Sequence, residues 1–206
     1  MSIETLLTGT RVIPVLEVAE ISQAAPLARA LAAGGLKVVE LTLRTDCALD
    51  AIAAMKDAAP DLTIGMGTIR RLEDVDQSVE AGAAFLVTPG FTSDLLAHVA
   101  ACGVPALPGA ATVGEAMIAA EAGFNRLKFF PAEPAGGLPY LKALAGPLPD
   151  VKFCPTGGIQ VDQVADYIAL PNVMCVGGSW VASKAAIAAG DWDAIESNAQ
   201  RAAGFA

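Results

Sequence analysis

RVIPVLEVAEISQAAPLARALAAGG, residues Arg11–Gly35, holds one complete unit of the plan on which this chain is built. It opens as a short apolar run rich in β-branched residues, which reads as a buried strand. It continues as an Ala-rich run with apolar residues at helical spacing, and it stops at the glycine pair Gly34-Gly35. The joint between the two, LEVAEIS, has no glycine, so the glycine-rich dinucleotide turn of an open doubly wound sheet is missing. Working outward, the same strand-then-helix unit recurs with strand runs KVVELTLR, LTIGMGTI, AFLVTPG, VPALPGA, RLKFFPA, VKFCPTGG and NVMCVGGSW. The eight runs are evenly spaced, with no linker and no shift in composition. Residues 1–206 therefore read as a single α/β domain, a (β/α)8 barrel. Ser93-Asp94, Thr112 with Glu115, and Asp162 are expected to start helices. Gly82, Gly103 and Gly123 are expected to end them.

Composition agrees with a layered fold and narrows the partners. Hydrophobic residues make up 54% and charged residues 17%, so the chain can fill a core and is no disordered segment. The formal net charge is −9, a field that repels nucleic acid and leaves an anionic ligand dependent on fixed local donors. Cys47, Cys102, Cys154 and Cys175 form no CxxC pair and read as buried, reduced thiols. No basic leader with an apolar stretch and no membrane-spanning run is visible, so the expected location is the cytoplasm and no membrane partner is expected.

In a barrel of this kind chemistry belongs at the C-terminal ends of the strands. Lys128 stands inside the sixth strand among Leu127, Phe129, Phe130 and Pro131. Desolvation disfavours the charged form of such a lysine, and a neutral amine is what a carbonyl needs to form a Schiff base. The plainer alternative is a lysine snorkelling from the bottom of the strand, a position that Arg126 already takes. In the second strand Glu40, Thr42 and Arg44 alternate with Val39, Leu41 and Leu43, which turns the three polar residues inward. Glu40 could then move protons and Arg44 could fork onto a carboxylate or phosphate. A structural Glu–Arg pair remains the alternative for Arg44. Gly65 and Gly67 precede Thr68 and would make room for a ligand, while alternation places Met66 on the side of Thr68 and Ile64. Pro89 and Pro108 would shape the mouth or simply punctuate turns. The seventh and eighth strands end in Thr156-Gly157-Gly158 and Gly177-Gly178-Ser179, whose exposed amides, with a helix N-terminus, suit an anion. His98, the only histidine, reads as a helix-surface or satisfied core residue, and no metal-ligand spacing is present, so no metal is expected.

VVELTLRT, TIGMGT, VTPG, LKFFPAE, FCPTGG and VGGSW, in this order from about Val12 to Trp180, resemble the 2-keto-3-deoxy-6-phosphogluconate (KDPG) aldolases and the related 4-hydroxy-2-oxoglutarate (KHG) aldolases. The resemblance implies a class I aldolase that needs no cofactor and assembles as a homotrimer. It implies that Lys128 is the Schiff-base lysine and Glu40 the general acid/base. Arg44 and Thr68 would hold the keto-acid end, Pro89 and Phe130 would be pocket walls, and Thr156 would lie near the pyruvyl carboxylate. Gly157, Gly158, Gly178 and Ser179 would take the distal phosphate. Two departures stand out: GMGT where the family usually has GAGT, bringing in Met66, and PGAATVGE, where Ala111 and Gly114 replace hydroxyl residues. The expected partner is thus a small keto acid with a distal anionic group. A 6-phosphogalactonate or 6-sulfogluconate derivative, or 4-hydroxy-2-oxoglutarate, is an alternative substrate. A phosphosugar isomerase or epimerase using Glu40 as base is an alternative reaction.

Overall fold

The computed structural model describes residues 2–205. All strand pairs are parallel, and a helix lies between successive strands except β5 and β6. The strands are β1 (Val12–Leu16), β2 (Val38–Thr42), β3 (Thr63–Gly67), β4 (Leu86–Val87), β5 (Ala106–Leu107), β6 (Gly109–Ala110), β7 (Arg126–Phe129), β8 (Lys152–Pro155) and β9 (Val176–Gly178). The helices are α1 (Ile3–Leu6), α2 (Ala24–Ala33), α3 (Ala48–Ala58), α4 (Leu72–Glu80), α5 (Ser93–Ala101), α6 (Val113–Glu121), α7 (Gly137–Leu144), α8 (Val164–Ile168), α9 (Lys184–Ala189) and α10 (Trp192–Ala203). Six strands form one parallel sheet in the order β5-β4-β3-β2-β1-β9, and β6-β7-β8 form a second.

Each of the eight strand-like runs becomes a strand, but the fifth is cut in two. Pro108 has no N–H for a ladder, and the chain changes partner there: β5 pairs with β4 and β6 pairs with β7. Two isolated parallel bridges, Phe153–Val173 and Thr156–Gly177, run between β8 and the β9 segment.

Apolar residues sort onto two sides of the sheets. Val39, Leu41, Ile64, Met66, Leu86 and Phe129 belong to the large core that also takes the helix faces. Ile13, Val38, Phe85, Val87, Leu107, Cys154 and Cys175 form a second cluster on the opposite side, joined by Leu7 and flanked by Ile3 and Leu6 of α1. That second cluster draws residues from both sheets.

Helix ends follow local chemistry. The expected cap at Thr112 is present: its hydroxyl accepts the Glu115 N–H, and Glu115 accepts the N–H groups of Ala111 and Thr112 at 2.8 and 2.9 Å. α5 starts at Ser93 as expected, capped by Thr92, while the third expected start moves by one residue: Gln163, not Asp162, precedes α8. Gly35, Gly82, Gly103 and Gly123 all have positive φ where helices end, a conformation that favours glycine. Gly34 does not. It lies where α10 packs closely on α2, and a Cβ there would run into Ala199 and the Glu196 carbonyl.

Candidate active site

Lys128 lies on β7 and Glu40 on β2, far apart in sequence, and the fold brings them into contact. Lys128 Nζ is 2.9 Å from Glu40 Oε1 and 3.2 Å from Oε2. Both residues are 4% exposed, so this is a buried ion pair and not a snorkelling lysine. The Phe130 ring stands 5.4 Å from Nζ, a cation–π distance. In register, Lys128 faces Cys154 on β8 and Glu40 faces Gly65 on β3.

The glycines of β3 make room, but for the protein itself. A Cβ on Gly67 would strike the Glu40 carboxyl, and one on Gly65 would strike the Phe85 ring. Gly67 therefore gives Glu40 its seat, which corrects the expectation of ligand space at these two positions. Met66 lies with Ile64, as alternation places it, fully buried in the core that packs against the helices. Strict alternation would carry Thr68 to the same side. Thr68 instead adopts φ +64°, a left-handed conformation that breaks the alternation. Its hydroxyl accepts the Arg44 Nε–H at 3.0 Å.

Arg44 differs from the expectation in the same way. β2 ends at Thr42, and the Arg44 N–H turns back to the Thr42 carbonyl at 2.9 Å. Its side chain is 43% exposed, so it stands at the mouth and not inside. Thr42 does turn inward but is occupied, donating to the Leu16 carbonyl at 2.7 Å.

Arg44 and Phe130 border a cavity of about 200 Å3, shared with Val15, Thr156, Gly157, Gly158, Ile159, Gly177 and Ser179. Of the glycines singled out in the eighth strand, Gly177 lines this cavity and Gly178 does not. A Cβ on Gly178 would meet the Trp180 indole. Gly157 and Gly158 have φ of +107° and +86°, conformations that favour glycine, and they hold the turn open. The anion-friendly amides are loop amides: α8 begins only at Val164 and α9 at Lys184, so neither glycine pair opens directly into a helix. Pro89 sits at the side, its backbone so close to Gly109 that a Cβ there would not fit, while Thr88 Oγ1 accepts the Gly109 N–H.

Two acidic residues near the site had escaped the sequence reading. Glu17, just past β1, pairs with Lys184 at 2.6 Å and lies 3.9 Å from Arg44. A charge ending an apolar run was its signal, as it was for Glu40. Glu133, inside the KFFPAE motif, accepts the hydroxyl of Tyr167 on α8. Burial first, and then that hydrogen bond, push the Tyr167 phenol well above its ordinary range, so it stays a proton donor. Beneath the site the thiols of Cys154 and Cys175 are neighbours. The neighbouring Cys154 thiol first, then burial and the negative charge of Glu40, push the Cys175 thiol up. Cys47 and Cys102 are half-buried, less covered than expected. His98 is a helix-surface residue paired with Asp76 at 2.7 Å. Among the described residues, no three His, Cys, Asp or Glu side chains gather as metal ligands. Among the described residues, no helix is long and apolar enough to cross a membrane. Gly114 faces open space, so the hydroxyl missing there leaves no internal contact unmade.

A buried lysine held against a carboxylate, each carried by a parallel strand, is an arrangement that suits a lysine-dependent lyase, an aldolase. Comparison with known proteins agrees. The chain belongs to the KDPG and KHG aldolase family, whose model matches residues 3–198. It is 46% identical over 194 residues to the 2-dehydro-3-deoxy-phosphogluconate aldolase of Pseudomonas aeruginosa, covering 94% of this chain and 88% of that one. It is 44% identical over 201 residues to the KHG/KDPG aldolase of Escherichia coli, covering 98% and 94%. Among solved structures it resembles the KDPG aldolase of Legionella pneumophila with pyruvate captured at low pH as a covalent carbinolamine intermediate. The TM-score is 0.91 and the identity 44%, with 95% of each chain covered.

Proposed function

We propose that this protein reversibly cleaves 2-keto-3-deoxy-6-phosphogluconate to pyruvate and glyceraldehyde 3-phosphate through a Schiff base on Lys128. The observation that carries this reading is the buried Lys128–Glu40 pair. Glu40 takes a proton from the ammonium, and the freed amine attacks the C2 ketone. Proton transfers through Glu40 expel water and leave a protonated imine. The C3–C4 bond then breaks, its electrons passing into the imine, while Glu40 receives the C4 hydroxyl proton. The resulting enamine is protonated at C3 and hydrolysed to pyruvate. No cofactor enters these steps. Arg44 and Thr68 hold the carboxylate of the keto acid, and the Arg44 Nε to Thr68 contact supports their acting together. Phe130 and Pro89 wall the pocket, and Thr156 lies near the pyruvyl end. The loop amides of Gly157 and Gly158, with the Gly178-Ser179 turn, take the distal phosphate. 4-Hydroxy-2-oxoglutarate is the second substrate to consider, because the Escherichia coli relative is named for both.

In this reading residues 1–206 form one closed (β/α)8 barrel. β5 and β6 serve as one strand interrupted at Pro108, and β8 meets β9 through the two isolated bridges. The apolar cluster shared by both sheets supports closure. The protein works in the cytoplasm as a homotrimer. Val113, Met117 and Ile118 on α6 are exposed apolar side chains suited to a subunit contact.

The test is borohydride trapping. Protein incubated with pyruvate and reduced should carry a stable adduct on Lys128 that peptide masses locate, and Lys128→Ala should carry none. A folded wild-type protein without adduct would leave the isomerase chemistry of Glu40 as the reading to pursue.

A further inference from the structure

Glu133 takes no part in the steps above, yet it stands between the two halves of the site. Its backbone N–H donates to the Gly157 carbonyl at 3.0 Å, and the Ala132 N–H donates to the Thr156 carbonyl at 2.8 Å. The segment that follows Lys128 and the turn that follows β8 therefore run side by side beyond the strand ends. The Glu133 side chain forms the back wall of that turn. A Cβ on Gly158 would lie 2.8 Å from Glu133 Cβ and 3.0 Å from Cγ, so the turn rests directly on the stem of this side chain. The carboxylate at the tip of the stem is fixed by the Tyr167 hydroxyl. Tyr167 is fully buried on α8, the helix reached from the same turn. Gly136 and Gly137 bring α7 over the pair: a Cβ on Gly137 would lie 3.1 Å from the Tyr167 hydroxyl and 3.3 Å from Glu133 Oε1.

We propose that Glu133 and Tyr167 are positioning residues for the distal anion subsite, their buried hydrogen bond setting where the Gly157-Gly158 turn stands relative to Lys128. The proposal rests on the phosphate assignment made above. The keto-acid end is served by Lys128, Glu40, Arg44 and Thr68, none of which touches this pair. Loosening the pair should therefore weaken recognition of the phosphorylated end and spare the lysine chemistry.

The measurement compares cleavage of 2-keto-3-deoxy-6-phosphogluconate with cleavage of the same sugar acid without its phosphate. In Tyr167→Phe, which removes one hydroxyl, KM for the phosphorylated substrate should rise about tenfold, the scale of one lost hydrogen bond, with little change in kcat. The unphosphorylated substrate and borohydride trapping of pyruvate should be unaffected. Glu133→Ala should show the same selective loss, and Glu133→Gln, whose amide oxygen still accepts from Tyr167, should recover most of it. Glu133→Asp keeps the charge, shortens the wall by one methylene, and should again raise KM for the phosphorylated substrate alone. An unchanged ratio of kcat/KM between the two substrates in Tyr167→Phe or Glu133→Asp would overturn the proposal. So would an equal loss on both substrates, which is what general loosening of the fold produces. Failure of the lysine reading is separable, because it shows as wild-type protein that traps no pyruvate.

Discussion

Gly67 decides whether Glu40 can stand where it does, because any side chain at that position would occupy the space of the carboxyl. Gly67→Ala is expected to cost about 1–3 kcal/mol by overpacking. It should slow pyruvate trapping more than that loss of stability explains, since Glu40 must swing away from Lys128. Trapping at the wild-type rate would show that the carboxyl finds another seat. Glu40→Gln keeps the shape and removes the base; kcat should fall by about 10² to 10⁴, read by coupled assay of released pyruvate. At this scale the sequence was informative where a charge interrupted an apolar run, as Lys128 and Glu40 do. It misled where side-chain direction was inferred by counting. Thr68 leaves the extended region and Arg44 follows a chain reversal, so strand parity no longer tells which way a residue faces.

Among the elements, eight strands and most helices were legible because each carries a continuous apolar pattern, and several helices close on a glycine. The split at Pro108 was not read, although a proline inside a strand is the signal for it. At this residue the chain changes partners, from β4 to β7. Capping was readable where side chain and backbone agree over three residues, as in Thr112 and Glu115. It was not readable after Gly158, where a long turn delays α8. Thr112→Ala should destabilise the protein by about 1 kcal/mol, the usual cost of removing a hydroxyl cap. A denaturant midpoint that does not move would mean that the Glu115 carboxylate alone holds this end.

For the whole molecule, two buried acids set the alkaline limit. Folding raises both the Cys175 thiol, ordinarily near 9.0, and the Tyr167 phenol, ordinarily near 10.0. A group raised in the folded state leaves stability untouched below its ordinary value and removes it as pH climbs beyond. Unfolding free energy should thus be insensitive to these groups up to about pH 9 and decline above it, and Tyr167→Phe should lack the later part of the decline. Urea titrations from pH 8 to 11 would show it; a flat profile would contradict the buried setting of both groups. Light scattering is expected to give three times the chain mass, and charged substitutions at Met117 and Ile118 to lower it. Finally, α1 and the apolar residues around Leu7 close the end of the sheets opposite the loops. If the barrel is closed, traffic has one doorway. The water that frees pyruvate from its lysine must then enter by the route along which the aldehyde leaves. The two products form a queue, and abundant aldehyde should keep the bound enamine dry and ready to be rebuilt into sugar acid.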